Sequence, residues 1–124
     1  MRAIAGPLMP QADYEALEAI KPPHVELVRS VPDLADELSR ARASISQCGY
    51  NTALDLLRTR VPALVVPYAT PEEDEQTRRA RRLERLGVLK VATHVNGDID
   101  ALLRFTPRAA TLDLDGARTT AELL

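Results

Sequence analysis

The chain has 124 residues, with 16 Lys+Arg against 18 Asp+Glu and a net charge of −2; that length suits one domain with a single core, and the charge balance gives no electrostatic footprint for nucleic acid. Its one cysteine excludes an internal disulfide, and no apolar run approaches the ~18 residues of a membrane span. Met1-Arg2-Ala3-Ile4 opens no secretory signal, so the expected setting is a soluble cytoplasmic one, and a core left to Leu, Val, Ile and Ala suits a parallel sheet covered by helices.

Ala3-Ile4-Ala5-Gly6 reads as a short strand ended by Gly6-Pro7, and Asp13 to Ile20 as a helix with Tyr14, Leu17 and Ile20 along one face. After Pro22-Pro23, His24 to Arg29 alternates as a half-buried strand does, and Pro32 opens a helix over Asp33 to Ala41. Ala43 to Ser46 is the third strand and Tyr50 to Arg58 the third helix. Val61 to Pro67 is a continuous apolar run between prolines, which predicts a fully buried strand. A long charged helix follows from Glu72 to Leu86 with Gly87 as its C-cap, then a strand over Val88 to Thr93, a short helix over Asp98 to Leu103 and a last one over Gly116 to Leu124. Five strands alternating with helices predict an α/β, Rossmann-like, doubly wound parallel sheet in three αβα layers. Ligands in such sheets sit beyond the carboxyl ends of the strands, where Gly6, Ser30, Gly49 and Tyr68-Ala69-Thr70 all fall.

The stretch Ser46-Gln47-Cys48-Gly49-Tyr50-Asn51-Thr52-Ala53-Leu54-Asp55 carries the chemistry. A strand meets a helix N-terminus at Gly49, where first-turn N–H groups lack internal partners and the macrodipole is positive, so a glycine that lets a ligand approach makes an anion site. Asn51 and Thr52 add short polar side chains. Asp55 lies too far along to cap the helix, yet near enough to the mouth to accept hydrogen bonds from a sugar diol. The same residues also suit an ordinary strand–Gly–helix junction capped by Asn51 or Thr52, and the pattern alone leaves both readings open.

Taken with Val65-Val66-Pro67-Tyr68 and then Glu75-Gln76-Thr77-Arg78-Arg79-Ala80-Arg81-Arg82-Leu83, that stretch resembles the donor-binding, C-terminal half of GT-B glycosyltransferases. Two branches are similar: the family 28 type, which includes the N-acetylglucosamine transferase of peptidoglycan-precursor synthesis, and the plant secondary-product type with its His-Cys-Gly-Trp-Asn-Ser-x-x-Glu signature. The resemblance is carried by residues 43 to 87. It implies that Gln47, Gly49, Tyr50, Asn51 and Thr52 hold a donor diphosphate and that Asp55 takes the ribose hydroxyls. Thr70, Glu75 and Gln76 would bind the transferred sugar, Ser30 and Val31 the nucleobase, and Gly6 would line another loop of the same cleft. The implied reaction moves a hexosyl group such as N-acetylglucosamine from a UDP-sugar to a hydroxyl acceptor, with no metal or other cofactor.

The chain departs from that pattern in places. Asp55 stands where the family has Glu, one methylene longer, and Gln47 replaces the plant signature's His. A first strand with its Gly-rich loop is missing from the reading, as is the acceptor-binding N-terminal half. The expectation is therefore a fragment of a two-domain enzyme that binds nucleotide weakly, does not turn over alone and is open to self-association through uncovered apolar surface. The alternatives are a separately encoded donor subunit, active only in a complex, and an epimerase-like or non-catalytic relative of the same fold.

Other residues have plainer readings. Arg78, Arg79, Arg81, Arg82 and Arg85 follow Glu72-Glu73-Asp74-Glu75, so Asp74–Arg78 and Glu75–Arg79 pairs on a solvated helix face are expected for most of them. One or two of these arginines are left to reach a phosphate or the missing half. His24 and His94 have no partners at metal-ligand spacing, and Cys48 is expected to pack under the phosphate loop rather than act as a nucleophile.

Overall fold

The computed structural model describes residues 1–92 and 99–109. Its elements are β1 (Arg2–Ile4), α1 (Gln11–Ile20), β2 (Glu26–Val28), α2 (Leu34–Arg40), β3 (Ser44–Ser46), α3 (Tyr50–Thr59), β4 (Ala63–Val65), α4 (Glu75–Arg85), β5 (Lys90–Val91) and α5 (Ile99–Arg104). All strand pairs among them are parallel, β1 with β2 and β4 between β3 and β5. A helix lies between each strand and the next, the crossover that parallel pairing requires. The α/β Rossmann-like class expected from the alternation is the class observed. The chain divides into two compact units, Met1–Asp33 and Leu34–Leu124.

In the first unit β1 and β2 run in register from Arg2 opposite Glu26 to Ile4 opposite Val28, and the pairing extends past the strands as Gly6 N–H donates to the Arg29 carbonyl at 2.9 Å. Tyr14 on α1 donates its hydroxyl to the Leu27 carbonyl at 3.2 Å, and the Arg29 guanidinium stacks 4.5 Å from the Tyr14 ring centroid. Only part of the predicted α1 face turns inward. Ile20, at the helix end beside Pro22-Pro23, is 77% exposed.

The second unit holds the main core. Ala53 and Leu56 from α3 and Ala80 and Leu83 from α4 are buried at the i,i+3 spacing that puts two side chains on one helix face. They meet Ala63 and Val65 of β4, Leu38 of α2 and Val88 and Leu89, with Cys48 among them. The apolar run between prolines is the central strand, as its composition predicts, with Ala63 and Val65 fully buried.

Helix α4 starts later than its charge pattern suggests. Thr70 and Glu73 exchange backbone hydrogen bonds of 2.8 and 3.2 Å across Pro71-Glu72, so the chain turns tightly before the helix begins at Glu75. At the other end Gly87, at φ +78°, lets its N–H reach the Glu84 carbonyl and Val88 N–H reach the Leu83 carbonyl. The predicted strand end at Thr93, the helix start at Asp98, His94 and the last helix over residues 116–124 lie outside the described residues.

Helix α3 closes without a glycine. Arg60 takes the left-handed conformation, φ 55° and ψ 28°, while its N–H bonds the Leu56 carbonyl. A side chain there crowds its own backbone at a cost of roughly 1–2 kcal/mol. Replacing exposed Arg60 with Gly is therefore expected to raise stability by about 1 kcal/mol, read as a higher urea midpoint at unchanged slope.

Candidate nucleotide-binding site

The predicted diphosphate residues sit where β3 ends and α3 begins. Gly49 is the N-cap of α3 at φ −63° and ψ 161°, and no side chain caps the helix. Neither Asn51 nor Thr52 takes the plain capping role. The ladder begins with Ala53 N–H donating to the Gly49 carbonyl at 2.9 Å, and the amides of Asn51 and Thr52 before it have no acceptor among the described residues. An ideal Cβ built on Gly49 meets nothing within 4 Å. The glycine thus leaves an open approach, and its φ is one that any residue adopts.

Gln47 and Asn51 are exposed, Tyr50 and Thr52 half-buried. Asp55 is half-buried on α3, and its backbone carbonyl accepts the Thr59 hydroxyl at 2.8 Å. Thr70 lies in the loop after β4, held by its exchange with Glu73, and Glu75 is the exposed first residue of α4. Ser30 and Val31 follow β2 and Gly6 follows β1, so in the first unit these three stand at the ends of neighbouring parallel strands. The second unit gathers the others, from Gln47 to Gln76, at the ends of β3 and β4.

Gln76 is a structural link in this site. Its Oε1 accepts the Cys48 N–H at 3.1 Å and the Tyr68 N–H at 3.0 Å, tying the loop after β3 to the loop after β4. Its amide NH2 takes part in neither bond.

Arg79 departs from the sequence expectation. Instead of pairing with Glu75 on a solvated face it is 4% exposed, and its Nη1 donates to the Cys48 carbonyl at 2.7 Å, while Arg78 makes the expected pair with Asp74 at 3.2 Å. Its guanidinium lies 5.8 Å from the Tyr50 ring centroid, and its buried Nε has no hydrogen-bond partner. No carboxylate pairs with it among the described residues. A run of five arginines hides which of them turns inward. The one signal was register: Arg79 precedes Ala80 and lies four before Leu83, the two apolar positions of α4 that enter the core.

Cys48 sits in the core directly beneath this loop, fully buried. Burial pushes its thiol up to about 11, against the opposing pull of Arg79. At neutral pH the group is a neutral thiol that neither attacks nor neutralises the arginine. Packing under the loop is its role, as expected from sequence.

A parallel α/β domain in which strand-end loops meet an uncapped, open helix N-terminus has the architecture of nucleotide-binding domains. Comparison narrows that class, since residues 7–100 match the glycosyltransferase family 28 C-terminal domain, and the chain belongs to that family. It is 30% identical over 113 residues, 91% of its length, to the UDP-N-acetylglucosamine--N-acetylmuramyl-(pentapeptide) pyrophosphoryl-undecaprenol N-acetylglucosamine transferase of Synechococcus elongatus, of which it covers 30%. Transferases of the same name from Gloeothece citriformis and Gloeobacter violaceus are 34% identical over 74 residues and 35% over 77, each aligned to 60% of this chain and covered to 19% and 22%. The chain thus spans less than a third of the length of these curated relatives. No solved structure matches it.

The folded state holds the Cys48 proton to a higher pH than an ordinary thiol at 9.0, so its stabilising effect is complete below pH 9 and is lost as pH rises toward about 11. The urea midpoint is expected to fall over that window and to fall less in Cys48→Ala, measured by circular dichroism; equal slopes in the two proteins would contradict the assignment.

Proposed function

We propose that this chain is the donor-binding domain of a glycosyltransferase, taking a UDP-sugar such as UDP-N-acetylglucosamine and presenting its hexosyl group to a hydroxyl acceptor. The observation that carries the reading is the uncapped N-terminus of α3, open at Gly49 and lacking acceptors for the Asn51 and Thr52 amides. Family membership supports the sugar nucleotide as the anion.

In this reading Gln47, Gly49, Tyr50, Asn51 and Thr52 surround the diphosphate, and Asp55 meets the ribose diol from the same helix. Thr70, Glu75 and the Gln76 amide receive sugar hydroxyls. Negative charge grows on the nucleoside diphosphate as the sugar leaves, and oriented N–H groups already aimed there stabilise it without reorganising. Charge-assisted hydrogen bonds of this kind contribute roughly 1.5–3 kcal/mol each. The acceptor and the base that deprotonates it belong to another part of the enzyme, so the chain alone binds nucleotide weakly and does not turn over. Its setting is the cytoplasm.

Calorimetric titration with UDP and UDP-N-acetylglucosamine is expected to show binding that Gly49→Val weakens by about tenfold or more. The variant should fold normally, because the added Cβ meets nothing within 4 Å and the backbone at φ −63° suits valine. Absence of heat and of chemical-shift change at millimolar UDP would sink the donor site.

A further inference from the structure

The Cys48 peptide groups are gripped from both sides by one helix. Gln76 Oε1 accepts its N–H at 3.1 Å, and Arg79 Nη1, one turn later on α4, donates to its carbonyl at 2.7 Å. The i,i+3 spacing places both side chains on the helix face that meets the loop. We propose that Gln76 and Arg79 are positioning residues that latch the loop before Gly49 into the shape that receives the diphosphate, with the buried positive charge of Arg79 forming part of the receptor. The inference rests on the donor-site reading and assigns Gln76 a role in holding the loop that direct sugar contact does not require.

Three observations favour a receptor over a plain packing role. Burying a guanidinium is expensive unless the charge is paired, yet Arg79 at 4% exposure has no carboxylate partner among the described residues, and the neutral Cys48 thiol supplies none. Its Nε is an orphan donor, and the hydroxyl of Ser46, at the end of β3 leading into the same loop, is a second buried polar group without a partner. Lastly, the guanidinium lies against the carbonyl of the residue preceding the N-cap and over the ring of Tyr50, the first residue of α3. Its charge therefore adds to the positive end of the α3 dipole, where a diphosphate would complete the missing counter-charge.

A latch that shapes the loop and a residue that contacts sugar make different demands. Loss of the Gln76 carbonyl should weaken UDP and UDP-sugar by the same factor, because both use the loop. Loss of a direct sugar contact would remove only the extra affinity of the UDP-sugar. Removing the Arg79 charge should weaken UDP and leave uridine unaffected. Its effect on stability has two opposing parts, since a buried cation is removed while the Cys48 carbonyl loses its donor, so the contrast between UDP and uridine carries the distinction.

The test is NMR titration of the chain and its Gln76→Leu, Arg79→Gln and Arg79→Lys variants with uridine, UDP and UDP-N-acetylglucosamine, alongside urea unfolding and amide exchange without ligand. Arg79→Gln is expected to weaken UDP about tenfold or more and uridine less than about twofold, and Arg79→Lys to recover much of the UDP affinity. Gln76→Leu should speed exchange at the Cys48 and Tyr68 amides and weaken UDP as well as UDP-N-acetylglucosamine. If the wild type binds UDP while Gln76→Leu and Arg79→Gln both match it, or if Arg79→Gln weakens uridine as much as UDP, the latch is overturned and the donor site stands. In Gln76→Leu, loss of the UDP-sugar increment with UDP affinity and exchange at the Cys48 and Tyr68 amides unchanged makes Gln76 a sugar ligand alone and also overturns the latch. A wild type that binds no UDP overturns the donor reading and this inference together.

Discussion

The residue on which the second unit turns is Cys48, because there the chain passes from the edge strand β3 to the start of α3 with its backbone out of reach of both ladders. Its side chain is fully buried, so its peptide groups cannot all turn to water, and a buried amide or carbonyl left unmade costs about 1–3 kcal/mol. Helix α4 satisfies both, through Gln76 on the N–H and Arg79 on the carbonyl. Because Gln76 also takes the Tyr68 N–H, the loops after β3 and β4 are fixed to each other and to α4 by a single side-chain oxygen. Those two loops carry the residues assigned to diphosphate and sugar.

Most of the architecture was legible in the sequence because its signals are local. Prolines bound β4, periodicity switches at Gly49, and Gly87 stands where the helix must end. The start of α4 was read early, since Glu72-Glu73-Asp74 suits a helix by propensity and only the backbone exchange between Thr70 and Glu73 reveals a tight turn. Ile20 continues the apolar face of Tyr14 and Leu17 in sequence, yet at the end of α1 it is exposed. Both misses concern element ends, where tertiary contacts outweigh propensity.

The site was legible in outline and obscure in its inner layer. Gly49, Asn51 and Thr52 could be placed by the physics of helix termini, and their open, uncapped geometry suits the anion they were assigned. Arg79 could not be picked out, because one arginine in a run of five is buried by a contact made 31 residues away. A guanidinium normally signals solvent, and only the register of Ala80 and Leu83 argues otherwise. Gln76 shows the same limit. Sequence shows that an amide side chain is available; the fold decides that its oxygen faces two backbone donors.

The electrostatics of the proposed site therefore have two layers, peptide amides at the surface of the loop and a buried cation behind it. Such an arrangement lets a chain of net charge −2 hold an anion by local field alone. A crystal structure of the chain with UDP-N-acetylglucosamine tests this most directly. The account predicts phosphate oxygens within hydrogen-bond distance of the amides at residues 50 to 52, with the Gln76 and Arg79 bonds to Cys48 intact. Phosphates bound elsewhere, or an α3 N-terminus left without anion at saturating ligand, would contradict it.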